Sequence, residues 1–221
     1  MPDTLTLIEE AEVIVASDES GLGAYAGPLV VGCVVAPKGW TPNASLTDSK
    51  KMTPADRARA AKALIADNRI AWQTLWATST EVDAENVYYA NVRLHTTAIA
   101  AALEKAASMF PGKKVLAVVD GNMKIPGAVS LPHADLRVLV CSAASVLAKV
   151  AHDSWMIEKM DAEYPGYGFA NHVGYHSDEH DEALDRLGPC AIHRRSFAPI
   201  ARLLTPKGPN VLDLMEELDK D

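Results

Sequence analysis

A short apolar run, Val13-Ile14-Val15-Ala16, ends in Ser17-Asp18-Glu19-Ser20 and passes at once into Gly21-Leu22-Gly23. The bulky residues read as a buried strand and the glycines as a turn. A carboxylate is costly to bury unless it is paired or metal-bound. A core strand that ends in two acids therefore constrains the fold: its end must open onto a site, beside backbone that a ligand can approach closely.

The same pattern returns a hundred residues later. Val115 to Val119 is an apolar strand that ends in Asp120-Gly121. Between the two, Leu29 to Ala36 reads as a strand that follows the first by a short connection, hence an antiparallel hairpin. Thr53 is a plausible N-cap and Pro54 a first helical residue for a helix running to about Asp67. Ile70 to Ala77 reads as a third strand. The alanine-rich stretch Glu81 to Met109 has helical spacing throughout. Gly121 to His133 is loop-like, and Leu136 to Val140 is a short strand candidate. Ser142 to Glu163 is helical, with Val146, Val150, Ile157 and Met160 on one stripe. Ser177 caps a helix to Leu187, and Asp213 to Asp221 reads as an exposed acidic helix. Strands alternating with helices make an α/β domain, with a helical and turn-rich last third.

If the strands ending in Asp18, Glu19 and Asp120 are neighbours, their acids converge. Clustered carboxylates with no His or Cys among them favour a hard cation, Mg²⁺ or Mn²⁺. Two such ions about 4 Å apart suit phosphodiester hydrolysis, because one activates water and the other stabilises the leaving oxygen. The bland alternative is that each acid caps a turn or helix. Gly21-Leu22-Gly23 lacks the third spaced glycine of a dinucleotide fingerprint. Lys50 and Lys51, just before a helix N-terminus, could hold a phosphate or be a solvated pair. Tyr175, after Gly174 in a turn-rich stretch, could stack on a sugar or base, or simply pack.

The net charge of −8 counts against nucleic-acid binding driven by overall charge but leaves room for a local basic patch. Three scattered cysteines without C-x-x-C spacing argue against a disulfide framework or a zinc site. No stretch approaches the ~20 apolar residues of a membrane span. The acidic N-terminus lacks the basic region of a signal peptide, so a cytoplasmic protein is expected.

The stretches SDESGLGAYAGP, LTDSKKM, VVDGN, HAD, SAASVLAKVAHD, YPGYGFANHVGY and GPCAIHRRSFAPI occur in this order between about residues 13 and 200. Together they resemble type 2 ribonuclease H (ribonuclease HII). The resemblance implies an RNase H-like fold: a mixed five-stranded sheet flanked by helices, with a C-terminal helical extension. It divides the chain into a catalytic core, 1–163, and an extension packed on it, 164–221. It implies a metal-dependent endonuclease that cleaves the RNA strand of RNA/DNA hybrids, and cuts 5′ of ribonucleotides embedded in duplex DNA, with Mg²⁺ or Mn²⁺. The family's four metal-binding acids fall on Asp18, Glu19, Asp120 and Asp135. Its ribose-reading loop falls on Gly21, Leu22 and Gly23, and its sugar-packing tyrosine on Tyr175. Lys50 is the expected phosphate contact, and Asp153 an inward-facing supporting hydrogen-bonder. Leu22 stands where the family has Arg, so readout by the loop would rest on backbone. A monomer is expected. The rival readings are a DNA junction resolvase on the same fold and a non-catalytic hybrid-binding module.

Overall fold

The computed structural model describes residues 4–43, 46 and 52–205. After helix α1 (Thr4–Glu10), strands β1 (Val13–Ser20) and β2 (Leu29–Pro37) form the hairpin expected from their short connection. Helix α2 (Pro54–Ile65) follows, with the Thr53 side chain accepting from the Asp56 amide. Strand β3 (Ala71–Ala77), helices α3 (Ser79–Glu85) and α4 (Val87–Met109), and strand β4 (Val115–Asp120) come next. The chain continues through β5 (Val129–Leu131), α5 (Ala134–Arg137), α6 (Leu139–Trp155), α7 (Asp161–Glu163), α8 (Phe169–His172), α9 (Asp178–Leu187) and α10 (Ala198–Leu204).

The sheet is mixed, in the order β3-β2-β1-β4-β5. β1 runs antiparallel to β2 and parallel to β4, so Asp18 and Asp120 end neighbouring strands on the same side. Side chains alternate across a strand. Ile14, Ala16 and Val118 pack with Ala144, Val146 and Leu147 of α6, while Val13, Val15, Ala117 and Val119 pack with Leu94, Ala98 and Ile99 of α4. Helix α6 comes very close to the sheet at Gly32, which lies opposite Asp18 in the hairpin. A Cβ there would sit 2.2 Å from the Ala144 carbonyl oxygen. A third cluster, with Phe169, Leu184 and Ile200, packs the later helices on Ala26 and Met156.

Several boundaries differ from the sequence reading. β1 continues through Glu19 and Ser20, so both acids belong to the strand. The stretch Glu81 to Met109 is two helices, not one. Asn86 breaks it with φ 74° and caps the second helix by accepting from the Tyr88 amide. Leu136 to Val140 is not a strand: α5 and α6 occupy it, and the fifth strand is Val129–Leu131, inside the region read as loop. Three residues of strand give too little alternation to recognise. Ile157 leaves the expected stripe and is exposed, because a wider π turn at Met156–Met160 shifts the helix phase. The expected helix Asp213 to Asp221 lies outside the described residues. No helix among the described residues is long and apolar enough to cross a membrane.

Candidate active site

The two-residue period of β1 separates its acids. Asp18 faces the α6 side and Glu19 the α4 side, and both reach the cleft because the strand ends there. Asp18 is buried, and its Oδ1 accepts from the Glu19 amide at 2.8 Å. The Ser145 side chain also hydrogen-bonds it. Burial, then the neighbouring Glu19 and Asp120 carboxylates, push its carboxyl up to about 8. Asp120 shares the α6 side, and its Oδ1 accepts from the Ala134 amide at 2.6 Å, which ties the start of α5 to the end of β4.

Asp135 sits buried in the first turn of α5, where the Ser142 hydroxyl donates to its carbonyl at 2.6 Å. The buried Cys141 thiol is within electrostatic reach of all four acids. Burial, then the charges of Asp18, Asp120, Asp135 and Glu19, hold it well above the usual thiol range. Asp18, Glu19 and Asp120 line one cleft, and Asp135 lies nearby in the first turn of α5. Carboxylates at the ends of neighbouring strands suit a hard divalent cation. Among the described residues, however, no three His, Cys, Asp or Glu side chains stand grouped as a ready-made ion cage.

Glu19 has a partner that the sequence reading did not single out. His95 of α4 is fully buried, its Nε2 3.1 Å from Glu19 Oε2 and its Nδ1 2.8 Å from Ser17 Oγ. Its only sequence signal is a polar residue on the otherwise apolar stripe of α4 formed by Ala90, Leu94, Ala98 and Ala102.

The loop after β1 is fixed from behind. Gly21 has φ +87°, and a Cβ there would meet the Pro28 carbonyl oxygen at 2.4 Å and His152 Cδ2 at 2.8 Å. Its amide donates to the Tyr175 phenol oxygen at 2.8 Å. Gly23 has open space around it. The Leu22 side chain is 39% exposed, and its carbonyl accepts from Arg194 Nη1 at 3.1 Å. Arg194 is itself fully buried and also donates to the carbonyls of Gly27, at 3.1 Å, and Pro28, at 2.8 Å. Burial pulls its guanidinium down to about 10. Nothing in the run His193-Arg194-Arg195 signals that its central cation turns inward.

Lys149 Nζ lies 5.0 Å from the Tyr175 ring centroid and pairs with Asp153 at 2.9 Å. Asp153 also accepts from His152 Nδ1 at 2.9 Å. Burial works to raise the Asp153 carboxyl, but His152 and Lys149 outweigh it and hold it below the usual range.

The result is a cleft of ≈ 470 Å³ lined by Asp18, Glu19, Gly21, Leu22, Gly23, Asp120, Ser145, Lys149 and Tyr175. Of the residues singled out in the sequence, Asp135 and Asp153 do not line it, and Lys50 and Lys51 lie outside the described residues. A hollow of ≈ 290 Å³ beside β3 and α4, at Trp72, Gln73 and Lys105, contains no carboxylate and no part of this chemistry.

The ribonuclease HII family model matches residues 15–200. A ribonuclease HII of Halorhodospira halophila is 43% identical over 196 residues, covering 86% of this chain and 94% of the relative. Among solved structures, the ribonuclease H2 from Pyrococcus horikoshii OT3 is similar with TM-score 0.65 and 24% identity, covering 86% of this chain and 96% of that one. Bst-RNase HIII in complex with Mn²⁺ is similar with TM-score 0.66 and 16% identity, covering 92% and 73%. At these identities the two structures bear on the fold alone, and they agree with the mixed five-stranded sheet.

Proposed function

From the premise that the chain belongs to the ribonuclease HII family, we propose that it cleaves the RNA strand of RNA/DNA hybrids and cuts 5′ of ribonucleotides embedded in DNA. The carrying observation is that one cleft holds three strand-end acids and the Gly21–Gly23 backbone together. Asp18, Glu19, Asp120 and Asp135 hold Mg²⁺ or Mn²⁺. Bound there, the cation supplies charge neutralisation at the scissile phosphate. An all-carboxylate set suits these hard ions, and the similarly folded Bst-RNase HIII is in complex with Mn²⁺.

The chain's own groups do the rest. The loop backbone at Gly21, Leu22 and Gly23 reads the ribose 2′-hydroxyl, the group that separates RNA from DNA. Tyr175 packs on the sugar; its phenol oxygen accepts from Gly21, which leaves its own O–H as a donor. Leu22 brings no charge to the cleft, so Lys149 supplies the nearby cation, and Lys50 contacts a phosphate of the duplex. Asp153 holds Lys149 and His152 in place. We read residues 1–163 as the catalytic core and 164–221 as its helical extension, in a chain that acts as a cytoplasmic monomer.

The test is Asp120→Asn on a labelled RNA/DNA hybrid with Mg²⁺ or Mn²⁺. The expected loss is at least about a hundredfold, since the ion's contribution is several kcal/mol. Hydrolysis at the wild-type rate overturns the site assignment. A duplex with one embedded ribonucleotide and a plain DNA duplex complete the assay: cutting plain DNA favours a resolvase, and binding without cutting favours a non-catalytic module.

A further inference from the structure

Helix α4 lays an apolar stripe on the sheet, with Ala90, Leu94, Ala98, Ile99 and Ala102 buried against β1 and β2. His95 interrupts that face and is fully buried. Packing alone does not ask for an imidazole here, because a buried polar ring costs free energy that an apolar side chain of similar size would not. Both its nitrogens are engaged, at 2.8 Å to Ser17 Oγ and at 3.1 Å to Glu19 Oε2. A carboxylate can only accept, so Nε2 carries the proton and donates to Glu19. In the neutral ring Nδ1 is then the acceptor, and the Ser17 hydroxyl donates to it. Ser17 and Glu19 sit on the same face of β1, two residues apart, so the strand itself presents both partners to one ring. With both nitrogens occupied, His95 is not free to be an ion ligand.

We propose that His95 is a positioning residue for Glu19. Ser17 sets the tautomer, and the ring holds the carboxylate at the cleft in the orientation that binds the cation. The need for it follows from the strand period. Asp18 and Asp120 lie on the α6 side and are held there by Ser145 and by the start of α5. Glu19 points to the α4 side and needs its own anchor. Hydrogen-bonding partners behind a ligand of this kind are worth 10- to 100-fold in ion affinity.

The inference rests on Glu19 being an ion ligand, and the experiment separates the two claims. Binding of Mn²⁺ alone to the full chain is followed by the electron paramagnetic resonance of the free ion, with a thermal melt as folding control. His95→Leu is expected to weaken Mn²⁺ binding by 10- to 100-fold, to raise the ion concentration for half-maximal hydrolysis by the same factor, and to leave the KM for hybrid unchanged. Ser17→Ala shifts the same quantities in the same direction by a smaller factor. Glu19→Gln with His95→Leu binds no more weakly than Glu19→Gln alone, since the ring acts only through that carboxylate. Wild-type Mn²⁺ binding by His95→Leu, with Asp18→Asn impaired, overturns the role of His95 and leaves the acid site standing. Wild-type binding by Asp18→Asn and Asp120→Asn as well overturns the site itself. Should His95→Leu not fold, Ser17→Ala decides: an unchanged Mn²⁺ affinity refutes the proposal and a weakened one supports it.

Discussion

The amide of Gly21 donates to the phenol oxygen of Tyr175 across 2.8 Å, joining residues 154 positions apart. One end belongs to the loop that leaves β1, and the other to the turn between α8 and α9. The bond couples the backbone proposed to read the ribose to the ring proposed to pack on the same sugar.

Tyr175→Phe tests that coupling. It keeps the ring beside Lys149 but leaves the Gly21 amide without its acceptor, a cost of about 1–3 kcal/mol. The expected outcome is a roughly 5- to 150-fold lower kcat/KM on a duplex with one embedded ribonucleotide, at about 1.4 kcal/mol per tenfold in rate, with a smaller loss on a full hybrid.

Gly21→Ala and Gly23→Ala should behave differently despite being two residues apart. At Gly21 an L-residue is strained by φ +87° and meets the Pro28 carbonyl oxygen at 2.4 Å, whereas Gly23 has open space. The left-handed backbone alone costs about 1–2 kcal/mol. Thermal melts should show a fall of several degrees for Gly21→Ala, at about 2–4 °C per kcal/mol for a chain of this size, and almost none for Gly23→Ala.

Arg194→Lys should not substitute for the native residue. The guanidinium reaches the carbonyls of Leu22, Gly27 and Pro28 with separate nitrogens. A single ammonium on a flexible stem cannot reproduce that fork. Orphaning buried carbonyls at about 1–3 kcal/mol each, the change should lower the denaturant midpoint and, with the loop released, the discrimination between an embedded ribonucleotide and plain DNA.

Stability should fall as the solution becomes acidic between about pH 6.5 and pH 4. His180 Nε2 lies 3.0 Å from His193 Nε2 in a fully buried pair. Burial above all pulls each down from 6.5 to about 4. The unfolded chain therefore binds protons in that window and the folded one does not, so the contribution is complete above pH 6.5 and is lost as pH falls through 4. Because the two rings titrate as a pair, the loss by pH 5 should be on the order of 2 kcal/mol per histidine at most. Urea midpoints at pH 7 and pH 5 measure it, and His180→Gln with His193→Gln should flatten the difference.

Mn²⁺ should stabilise the fold, and chelation should reverse the effect. An ion at a hundred times its dissociation constant adds about 2.7 kcal/mol. Melting curves with Mn²⁺ and with chelator should separate for the native chain and coincide for Asp18→Asn.

Much of the architecture could be read from residues alone. The β1–β2 hairpin, the Thr53 cap, β4 ending in Asp120 and the Ser177 cap each depend on a local signal a few residues long. The errors have equally local causes. A single left-handed Asn86 divides what periodicity presents as one helix. β5 is three residues long, so its neighbours α5 and α6 supplied a false strand. For the candidate site, Asp18, Glu19 and Asp120 stood out because strand-end carboxylates are costly to bury, whereas Asp135, in the first turn of α5, came only from the family resemblance. His95 and Arg194 did not, since their meaning lies in partners 76 and 172 residues away. No spacing rule connects a helix histidine to a strand acid before the topology places α4 behind β1.

The Arg194 clasp also sets an order of events during synthesis. The loop it holds is made 166 to 172 residues before the guanidinium that clasps it. A nascent chain emerging N-terminus first can build β1 and β2, and later the acids of β4, before anything exists to fix the loop that follows β1. The clasp thus comes only after all the acids, and a chain released before Arg194 would carry the acids without the clasp on the loop proposed to choose their substrate.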